Sequence, residues 1–425
     1  MGTNRSFSAM LNDYLPLDLM KEEIIKRDWL LSNVELDDGW QGASSTTGEA
    51  AYIVPFVGAG ASSVEFGQLA ASSDISEDAF VRGRINAQKE VWGSMIFNAR
   101  DLAEHGKNIS EKSFLKILPD RLEAFLQYMK EAVSINLLYG PHFAAFTADT
   151  NLASGVAEVD RIDRFAIGQK VTLIDGNTGA GTYYVIAIDV NAGANKNGTV
   201  TFSASRGGAA ADISAYTTAQ SAKVYHPGAN SSAFQSLIDA LLSNANGGGS
   251  SLYGVTKTSY PYLQAVQVDG SAVTAANILE KLFDGYTKVR IKAKGKASKI
   301  LMSYKHLGSV MKLIETQKGG FKVTAGQRSA SMYGWDEIEI TSVRGNLTIV
   351  GIQEMPDSHI VYLDPDAIVF ASNGFFRRQK SPDGNEFYIV RNTTGYQYVV
   401  DTCLFGDLVV KAPGHCGIMY NIANY

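Results

Sequence analysis

The residues best suited to nucleophilic or metal chemistry lie near the C-terminus. Cys403, His415 and Cys416 offer two thiols and one imidazole. A thiol nucleophile needs a base beside it and a third group that orients the base, and the sequence signals neither. Two cysteines so far apart also match none of the closely spaced pairs that bind zinc. We therefore predict two buried thiols, with no catalytic residue, no metal ligand and no cofactor.

A glycine-rich stretch, Gly176-Asn-Thr-Gly-Ala-Gly-Thr182, superficially resembles a phosphate-binding loop. The P-loop ends in Lys-Ser/Thr, and both the P-loop and the dinucleotide fingerprint lead into a helix. Neither signal follows here. Because β-type segments flank the stretch, we predict a hairpin turn instead of a phosphate site.

A basic run from Lys288 to Lys299 contains six cations in twelve residues. The cations alternate with Val289, Ile291 and Ala293, which predicts a strand with one basic face. That face suits nucleic acid or an acidic neighbour. It equally suits a solvated edge strand that its lysines keep from aggregating. The sequence leaves these alternatives open.

Composition narrows the class of protein. The chain has 425 residues, of which 45% are hydrophobic and 19% charged, as is typical of a soluble globular protein. This length predicts roughly two to four subdomains. No run of about 18 apolar residues signals a membrane span. A net charge of −5 argues against a protein that attracts nucleic acid as a whole. Only two cysteines are present, which suits a reducing compartment.

The element that organises the chain is a predicted long helix over residues 119–139. Pro119 suits its first turn, where a missing N–H costs nothing, and Gly140-Pro141 ends it. Its apolar residues recur at steps of three and four, which makes one buried stripe: Leu122, Phe125, Leu126, Met129, Val133 and Leu137. We expect a separate short helix within residues 100–118 to lead into it.

The segments before the long helix predict an arm and a hairpin. Residues 6–36 have the pattern of an amphipathic helical arm. Residues 49–71 and 79–99 have the pattern of two extended arms, joined by a polar turn at 72–78. An extended arm of about 20 residues spans roughly 65 Å, whereas a compact chain of this length has a radius of gyration of about 22 Å. A hairpin that projects this far has unpaired edges, which need a partner.

The segments after the long helix predict a small all-β domain and then a mixed one. Strands are predicted at 170–174, 182–188 and 199–203. Helices are predicted at 232–244, 275–286 and 304–318, and a strand at 299–303. From residue 336 onward the pattern indicates strands. The last prediction is a hairpin that pairs 375–380 with 386–391 across Ser381-Pro-Asp-Gly-Asn385.

This order of elements resembles the major capsid proteins of tailed phages, which have the Hong Kong 97-type fold. Two passages strengthen the resemblance: Gln353-Glu-Met-Pro-Asp-Ser-His-Ile-Val-Tyr-Leu-Asp-Pro365, and Leu408-Val-Val-Lys-Ala-Pro-Gly-His-Cys-Gly-Ile418. The resemblance implies an α+β fold with these parts: an N-terminal arm (1–48), an E-loop hairpin (49–105), a spine helix of the P-domain (106–154), an inserted β domain (155–228), an A-domain (229–355), a P-domain hairpin (356–400) and a C-terminal strand that returns to the A-domain (401–425).

The resemblance also implies a function. The chain would be a shell protein and not an enzyme, forming hexamers and pentamers of an icosahedral virion around double-stranded DNA held weakly and non-specifically. Its partners would be copies of itself, with separate scaffolding, portal and decoration proteins and no membrane, and assembly would take place in the host cytoplasm. Subunit contacts are expected on the hairpin arms: Tyr52, Val54, Phe56, Phe66, Phe80, Arg82, Arg84 and Trp92.

Two other functions remain open. One is an encapsulin-type compartment shell, which would share the fold but enclose an enzyme. The other is a carbohydrate-binding or adhesion protein that uses the β domain at 155–227.

Overall fold

The computed structural model describes residues 14, 16–37, 39, 52–56, 82–85, 89–104, 108–109, 111–176, 179–193, 197–229, 234–292, 297–317, 337–342, 345–372, 374–380, 385–392 and 395–422. The chain forms two compact units. The first unit comprises Met1–Ser134 together with Leu237–Tyr425, and the second unit comprises Ile135–Ser236.

Helices and strands are mixed along the described chain, which confirms the predicted α+β class. The helices are α1 (Leu17–Arg27), α2 (Trp29–Asn33), α3 (Ala99–Leu102), α4 (Glu111–Leu138), α5 (Leu237–Leu241), α6 (Ile278–Lys292) and α7 (Tyr304–Gln317). The strands are β1 (Glu35–Asp37), β2 (Tyr52–Pro55), β3 (Arg82–Ile85), β4 (Lys89–Asn98), β5 (Ala103–Glu104), β6 (Asn108–Ile109), β7 (His142–Asn151), β8 (Val156–Val159), β9 (Lys170–Ile174), β10 (Gly181–Asp189), β11 (Thr199–Ser203), β12 (Lys223–Tyr225), β13 (Ser251–Leu252), β14 (Val255–Thr256), β15 (Val266–Asp269), β16 (Lys299–Met302), β17 (Glu337–Ser342), β18 (Gly345–Gly351), β19 (Ile360–Leu363), β20 (Ile368–Ala371), β21 (Phe376–Arg378), β22 (Tyr388–Asn392), β23 (Gly395–Val410) and β24 (Gly417–Tyr420).

Helix α4 is longer than the sequence predicted, since it begins at Glu111 and contains Pro119 in its interior. Its apolar stripe starts before the proline, where Phe114 and Leu118 are buried in line with Phe125. Burial of these side chains offsets the hydrogen bond that a proline cannot donate. The separate short helix predicted within 100–118 is therefore wrong: α3 ends at Leu102, strands β5 and β6 follow, and residues 111–118 form the first turns of α4.

One sheet of the first unit is built around β23, a strand of 16 residues. Strand β4 pairs with it antiparallel along one edge, from Lys89 opposite Gly406 to Asn98 opposite Gln397. Strands β21 and β22 pair along the opposite edge, β20 pairs with residues 407–410, and β1 extends β20 in parallel. We call this assembly of β1, β4, β20, β21, β22 and β23 the ribbon sheet.

The hairpin predicted between residues 375–380 and 386–391 is wrong. Strand β21 pairs with residues 402–404 and β22 with residues 395–399, so both pair with β23 and not with each other. Both strands run antiparallel to β23 and therefore parallel to each other, so the reversal of direction that the sequence predicted between them is also absent. An alternating pattern shows which face of a strand is buried and not which strand is its neighbour.

The predicted hairpin before α4 is present at its base. Strand β2 pairs antiparallel with β3, from Tyr52 opposite Ile85 to Pro55 opposite Arg82. Strand β4, which the sequence placed in the second arm of this hairpin, pairs with β23 instead. The remainder of both arms and the turn predicted at 72–78 lie outside the described residues.

The second sheet of the first unit has the strand order β15-β24-β19-β16-β18-β17. Helices α6 and α7 pack on it, with Leu282, Val289 and Val310 buried against Tyr362 and Ile300 of the sheet. The last described strand, β24, returns to this sheet between β15 and β19. Helix α7 and strand β16 have nearly the bounds that the sequence predicted.

The basic run predicted as a strand is the C-terminal part of α6 up to Lys292. The helix holds because its buried residues, Ile278, Leu282 and Val289, recur at helical spacing and face the sheet. The alternation of charged and apolar residues over 288–292 was too short to distinguish the period of a strand from the period of a helix. Residues 293–296 lie outside the described residues, and Lys299 opens β16.

Helix α5 covers only Leu237–Leu241 of the helix predicted at 232–244. The buried ammonium of Lys257 donates to the carbonyl oxygens of Asp239 (2.7 Å) and Leu242 (2.8 Å). These bonds satisfy carbonyl groups at the helix end, where no further turn is available to do so.

The second unit is a closed barrel with the strand order β10-β11-β8-β7-β12-β9. Strands β9 and β11 have the bounds that the sequence predicted, and the glycine-rich stretch links the antiparallel pair β9 and β10, which confirms the predicted turn. The barrel includes β7, which begins at His142, so the boundary at residue 155 falls too late. Strand β7 closes the barrel by pairing with both β8 and β12, a long-range contact that the sequence does not reveal.

Candidate assembly surfaces

The inner face of the ribbon sheet is packed against α4. Met95 and Phe97 are buried there, and the ring of Phe97 lies 5.6 Å from that of Phe114. Gly93 lies against α4 so closely that a methyl group on it would overlap Met129 and Phe125. The helix therefore backs the sheet without a gap, and it holds the opposite face of the sheet in a fixed position.

The outer face of the ribbon sheet carries apolar side chains in solvent. Side chains on one face alternate along each strand, and directly opposed residues share a face. Trp92 and Ile96 on β4 and Val390 on β22 share this outer face, and they are 48%, 43% and 46% exposed. Burying their exposed parts would contribute on the order of 3 kcal/mol per copy. We call Trp92, Ile96 and Val390 the outer patch.

Several contacts hold the surroundings of the outer patch in place. The indole of Trp92 meets the ring of Phe405 edge-on at 6.3 Å, and its N–H donates to Glu90 at 2.9 Å. The guanidinium of Arg377 lies 5.4 Å from the centre of the Phe405 ring. Below Trp92, Ser94 donates a hydrogen bond of 2.5 Å to Asp401 on β23. These fixed rotamers lower the entropy cost that binding a partner would carry.

The six described residues among those predicted as subunit contacts fall into three groups. Tyr52, Val54 and Phe56 are buried within their own chain, Arg82 and Arg84 are exposed on β3, and Trp92 belongs to the outer patch. Phe66 and Phe80 lie outside the described residues. The structure thus brings the residues of the first two groups together at the hairpin base. It separates them from Trp92, which lies on a different sheet.

The hairpin base is anchored to the first unit by specific hydrogen bonds. The phenol of Tyr52 donates to Asp37 at 2.6 Å, and this bond, with smaller contributions from Gly39 and Lys411, holds the pKa of Asp37 below its usual value. The N–H of Arg84 donates to the carbonyl oxygen of Tyr253 at 2.9 Å. Tyr253 in turn donates to the carbonyl oxygen of Leu408 on β23 at 2.8 Å.

The N-terminal segment crosses α4 and is fixed to it. Arg27 forms a two-bonded ion pair with Glu123, with both distances at 2.8 Å. Asp28 caps α2 through the N–H of Leu31 and accepts a second hydrogen bond from Ser134 of α4. Burial raises the pKa of Asp28, since its carboxylate loses more solvation than these two bonds return.

Lys299, the last cation of the basic run, and Lys130 of α4 both form contacts inside the chain. The ammonium of Lys299 lies 4.9 Å from the Trp29 ring centre and donates to Asn33 at 3.0 Å. Lys130 forms an ion pair with Glu354. Of the basic run, Lys288 and Lys292 remain exposed on α6.

The thiols do not form a reactive site. Cys403 and Cys416 are buried and free, as predicted, and burial raises the pKa of each thiol to about 12. They therefore stay protonated at neutral pH and are poor nucleophiles. In the described part of the chain, no three histidine, cysteine or carboxylate side chains are placed to hold a metal ion together. No helix found there combines the length and apolar character that a bilayer crossing requires.

Sequence reasoning identified Trp92 but missed Ile96 and Val390. The signal for Ile96 was present, because β4 alternates exposed and buried residues from Val91 to Phe97. In that pattern Trp92 and Ile96 lie on the exposed face of β4, whereas Met95 and Phe97 lie on its buried face. Val390 carried no such signal, because its face depends on pairing with β23 at Gln397.

No protein-family model matches the chain, and no curated protein matches it. Among solved structures it is similar to the capsid asymmetric unit of cyanophage A-1(L), at 12% identity and a TM-score of 0.41, over 99% of this chain and 97% of that one. It is also similar to the holo-SrpI encapsulin complex of Synechococcus elongatus PCC 7942, at 10% identity and a TM-score of 0.39, over 95% and 90% of the two chains. A third is Gordonia phage Cozz, at 12% identity and a TM-score of 0.38, over 100% and 97%. At these values the function has to be argued from the surfaces of the chain itself.

Proposed function

We propose that the chain is a major capsid protein, a shell protein and not an enzyme, whose copies form the hexamers and pentamers of an icosahedral virion shell. The observation that carries this proposal is the outer patch. A rigid sheet, packed on one face against α4, presents Trp92, Ile96 and Val390 to solvent on the other. An exposed apolar patch with a rigid backing is typical of a protein contact and is costly to leave in water.

Strand edges supply a second kind of contact. Strand β4 has ten residues and pairs with β23 along one edge, and no other described strand pairs with it. An edge strand of this length can act as a template on which another chain adds a strand. A shell uses such edges productively, because symmetric copies cover one another and the weak contacts add up.

The hairpin that starts at β2 and β3 is the part we propose to lie across the neighbouring subunit. Its buried residues Tyr52, Val54 and Phe56 act as the anchor, and Arg82 and Arg84 are exposed beside it. Phe66 and Phe80, further along the hairpin, are proposed to contact the neighbour. A firm anchor matters because a hairpin transmits binding energy to its own subunit only when its base does not move.

The contents of the shell are the next part of the proposal. We propose that the shell packages double-stranded DNA. The net charge of −5 repels a polyanion overall, so the DNA would be held weakly and without sequence specificity. Separate scaffolding, portal and decoration proteins would complete the particle, which would assemble in the host cytoplasm and contact no membrane. The alternative is an encapsulin-type shell around an enzyme, and one of the similar structures is such a complex.

Electron microscopy of the full chain, expressed alone and together with the genes that flank its own gene, tests the proposal. We expect rings or closed particles. A strictly monomeric protein under both conditions would contradict a shell function. Particles from infected cells, treated with nuclease and then opened, separate the two shells: protected DNA of uniform length supports the virion, whereas one abundant enzyme without DNA supports the compartment.

A further inference from the structure

Helix α6 leaves its outer side without a partner in the described part of the chain. Glu280 and Asp284 are exposed in its N-terminal half, and Lys288 and Lys292 are exposed in its C-terminal half. Ile291 lies between the two lysines and is 76% exposed, although it is a large apolar side chain. Asp284 has one weak contact, with Lys281 at 3.8 Å.

The helix is held rigidly on the sheet beneath it. A methyl group on Gly285 would overlap the side chain of Tyr362, and one on Gly417 would overlap the side chain of Val289, so each glycine lets a side chain of the other element pack directly on its backbone. The N-terminal turn is fixed as well, because Asn277 accepts a hydrogen bond from the N–H of Thr274 at 2.7 Å. The exposed side chains are therefore presented in a fixed arrangement.

The two ends of α6 complement each other. The acidic end consists of Glu280 and Asp284 together with the exposed methyl groups of Ala275 and Ala276 just before the helix. The basic end consists of Lys288, Ile291 and Lys292. The lysines suit the carboxylates, and Ile291 suits the methyl groups. Asp284 and Lys288 are one turn apart, whereas Glu280 and Lys292 lie about 18 Å apart along the helix, so within one copy the outermost charges of the two ends cannot pair with each other.

We propose that the basic end of one copy binds the acidic end of the next copy, and that this contact closes the rings of the shell. This inference rests on the proposed function, since it takes a second copy as the partner. Two different patches that bind head to tail form a heterologous contact, which generates a ring when the rotation closes. Nucleic acid is less suitable for the basic end, because a phosphate backbone offers nothing to an exposed isoleucine.

Charge reversal in the full-length chain tests the contact. Lys288→Glu with Lys292→Glu makes both ends acidic, and Glu280→Lys with Asp284→Lys makes both ends basic. Like charges across a contact cost several kcal/mol, so each double variant should form rings at a yield at least about tenfold lower than the parent. The fourfold variant, with all four charges exchanged, should recover ring formation. Mass photometry measures the ring population.

Mixing the two double variants gives a sharper result. In a 1:1 mixture, acidic and basic copies alternate around the ring, and every contact again joins opposite charges. Alternation requires an even number of copies. We therefore expect the mixture to form hexamers but no pentamers, so that electron microscopy shows flat or tubular arrays instead of closed shells.

The outcomes separate this inference from the proposed function. If the parent forms no rings, the shell function itself fails. If the parent forms rings and both double variants do too, the α6 contact is wrong while the shell stands. Lys288→Gln with Lys292→Gln, which adds no repulsion, serves as a second variant should a reversal fail to fold, and unchanged ring formation in it also contradicts the contact.

Thr287→Cys detects a two-fold pairing of α6, because the native cysteines are buried. Disulfide-linked dimers would overturn the head-to-tail arrangement, and loss of bound DNA from intact rings of the lysine variants would assign the basic end to nucleic acid.

Discussion

The ribbon sheet and the barrel are two β structures in one chain that treat their edges in opposite ways. The barrel closes on itself, so each of its six strands has two neighbours. The ribbon sheet leaves an edge of β4 without a described partner and exposes the outer patch. A closed barrel is complete as one copy, whereas an open sheet with an apolar outer face is completed by another molecule. The function of the chain should therefore depend on the ribbon sheet.

The largest expected effect on folding lies in the barrel. Phe202 is fully buried, with the rings of Phe146 and Phe165 at 6.1 and 6.4 Å. Phe202→Ala should lower the free energy of unfolding of the second unit by about 3–5 kcal/mol. Limited proteolysis should then produce cuts within 135–236. The four tryptophans all lie outside that range, so the unfolding transition seen by tryptophan fluorescence should stay where it is. A shift of that transition by the same amount would contradict the division into two units.

A smaller effect is expected between the ribbon sheet and α4. Gly93→Ala places a methyl group against Met129, which should cost about 1–3 kcal/mol of folding free energy. The matched control is Gly308→Ala in α7, where the added methyl group meets open space and helix propensity should add up to about 1 kcal/mol of stability. Chemical denaturation measures both. Equal stability of the two variants would show that α4 does not back the sheet tightly.

The anchor of the hairpin should give an effect that depends on pH. The hydrogen bond from Tyr52 is the main reason that the pKa of Asp37 is lowered, so the bond stabilises the fold fully above the ordinary carboxyl pKa of about 4. Its contribution is lost as the pH falls through the lower, folded-state value. Tyr52→Phe should cost about 1 kcal/mol at pH 7, and the difference from the parent should shrink in acid. Tyr388→Phe is the control, because Tyr388 donates to the neutral carbonyl of Lys380 and its effect should not follow the Asp37 titration.

The outer patch should matter far more for assembly than for folding. Trp92→Ser combined with Ile96→Ser changes half-exposed side chains and removes the contacts of Trp92 with Phe405 and Glu90, so it should lower the free energy of unfolding of a single copy by about 1–2 kcal/mol. The yield of rings and particles should fall sharply, because the outer patch loses its apolar area. Ile167→Ser, which changes an exposed isoleucine of the second unit, should leave assembly intact. Equal yields from both variants would remove the outer patch as a contact.

The same contrast explains what the sequence could predict. The bounds of β9 and β11 were predictable, because turns flank each strand and the alternation is clean. The extension of α4 through Pro119 was not, because a proline is a strong local signal for a helix start and only tertiary burial of Phe114 and Leu118 overrides it. The pairing of β21 and β22 with β23 was not predictable either, since it depends on contacts between distant residues.

The candidate assembly surfaces were likewise predictable only in part. Trp92 was found from its place in a predicted arm, whereas Tyr52, Val54 and Phe56 proved to be buried inside the chain. The sequence of an extended arm does not show whether its apolar residues pack against a neighbouring subunit or against the core of their own chain. Only the positions of Asp37 and Tyr253 decide that the arm is anchored at this point.

The ten-residue ladder between β4 and β23 has a mechanical consequence. The two strands run antiparallel and overlap along the whole of β4, so tension applied along the strands from opposite ends would load the hydrogen bonds in shear. Ladder bonds loaded in shear must break together, whereas a peeling force opens them one at a time. A container under outward pressure would gain from a joint that resists stretching in this way, and a pulling experiment along the axis of β23 should find its most force-resistant part here.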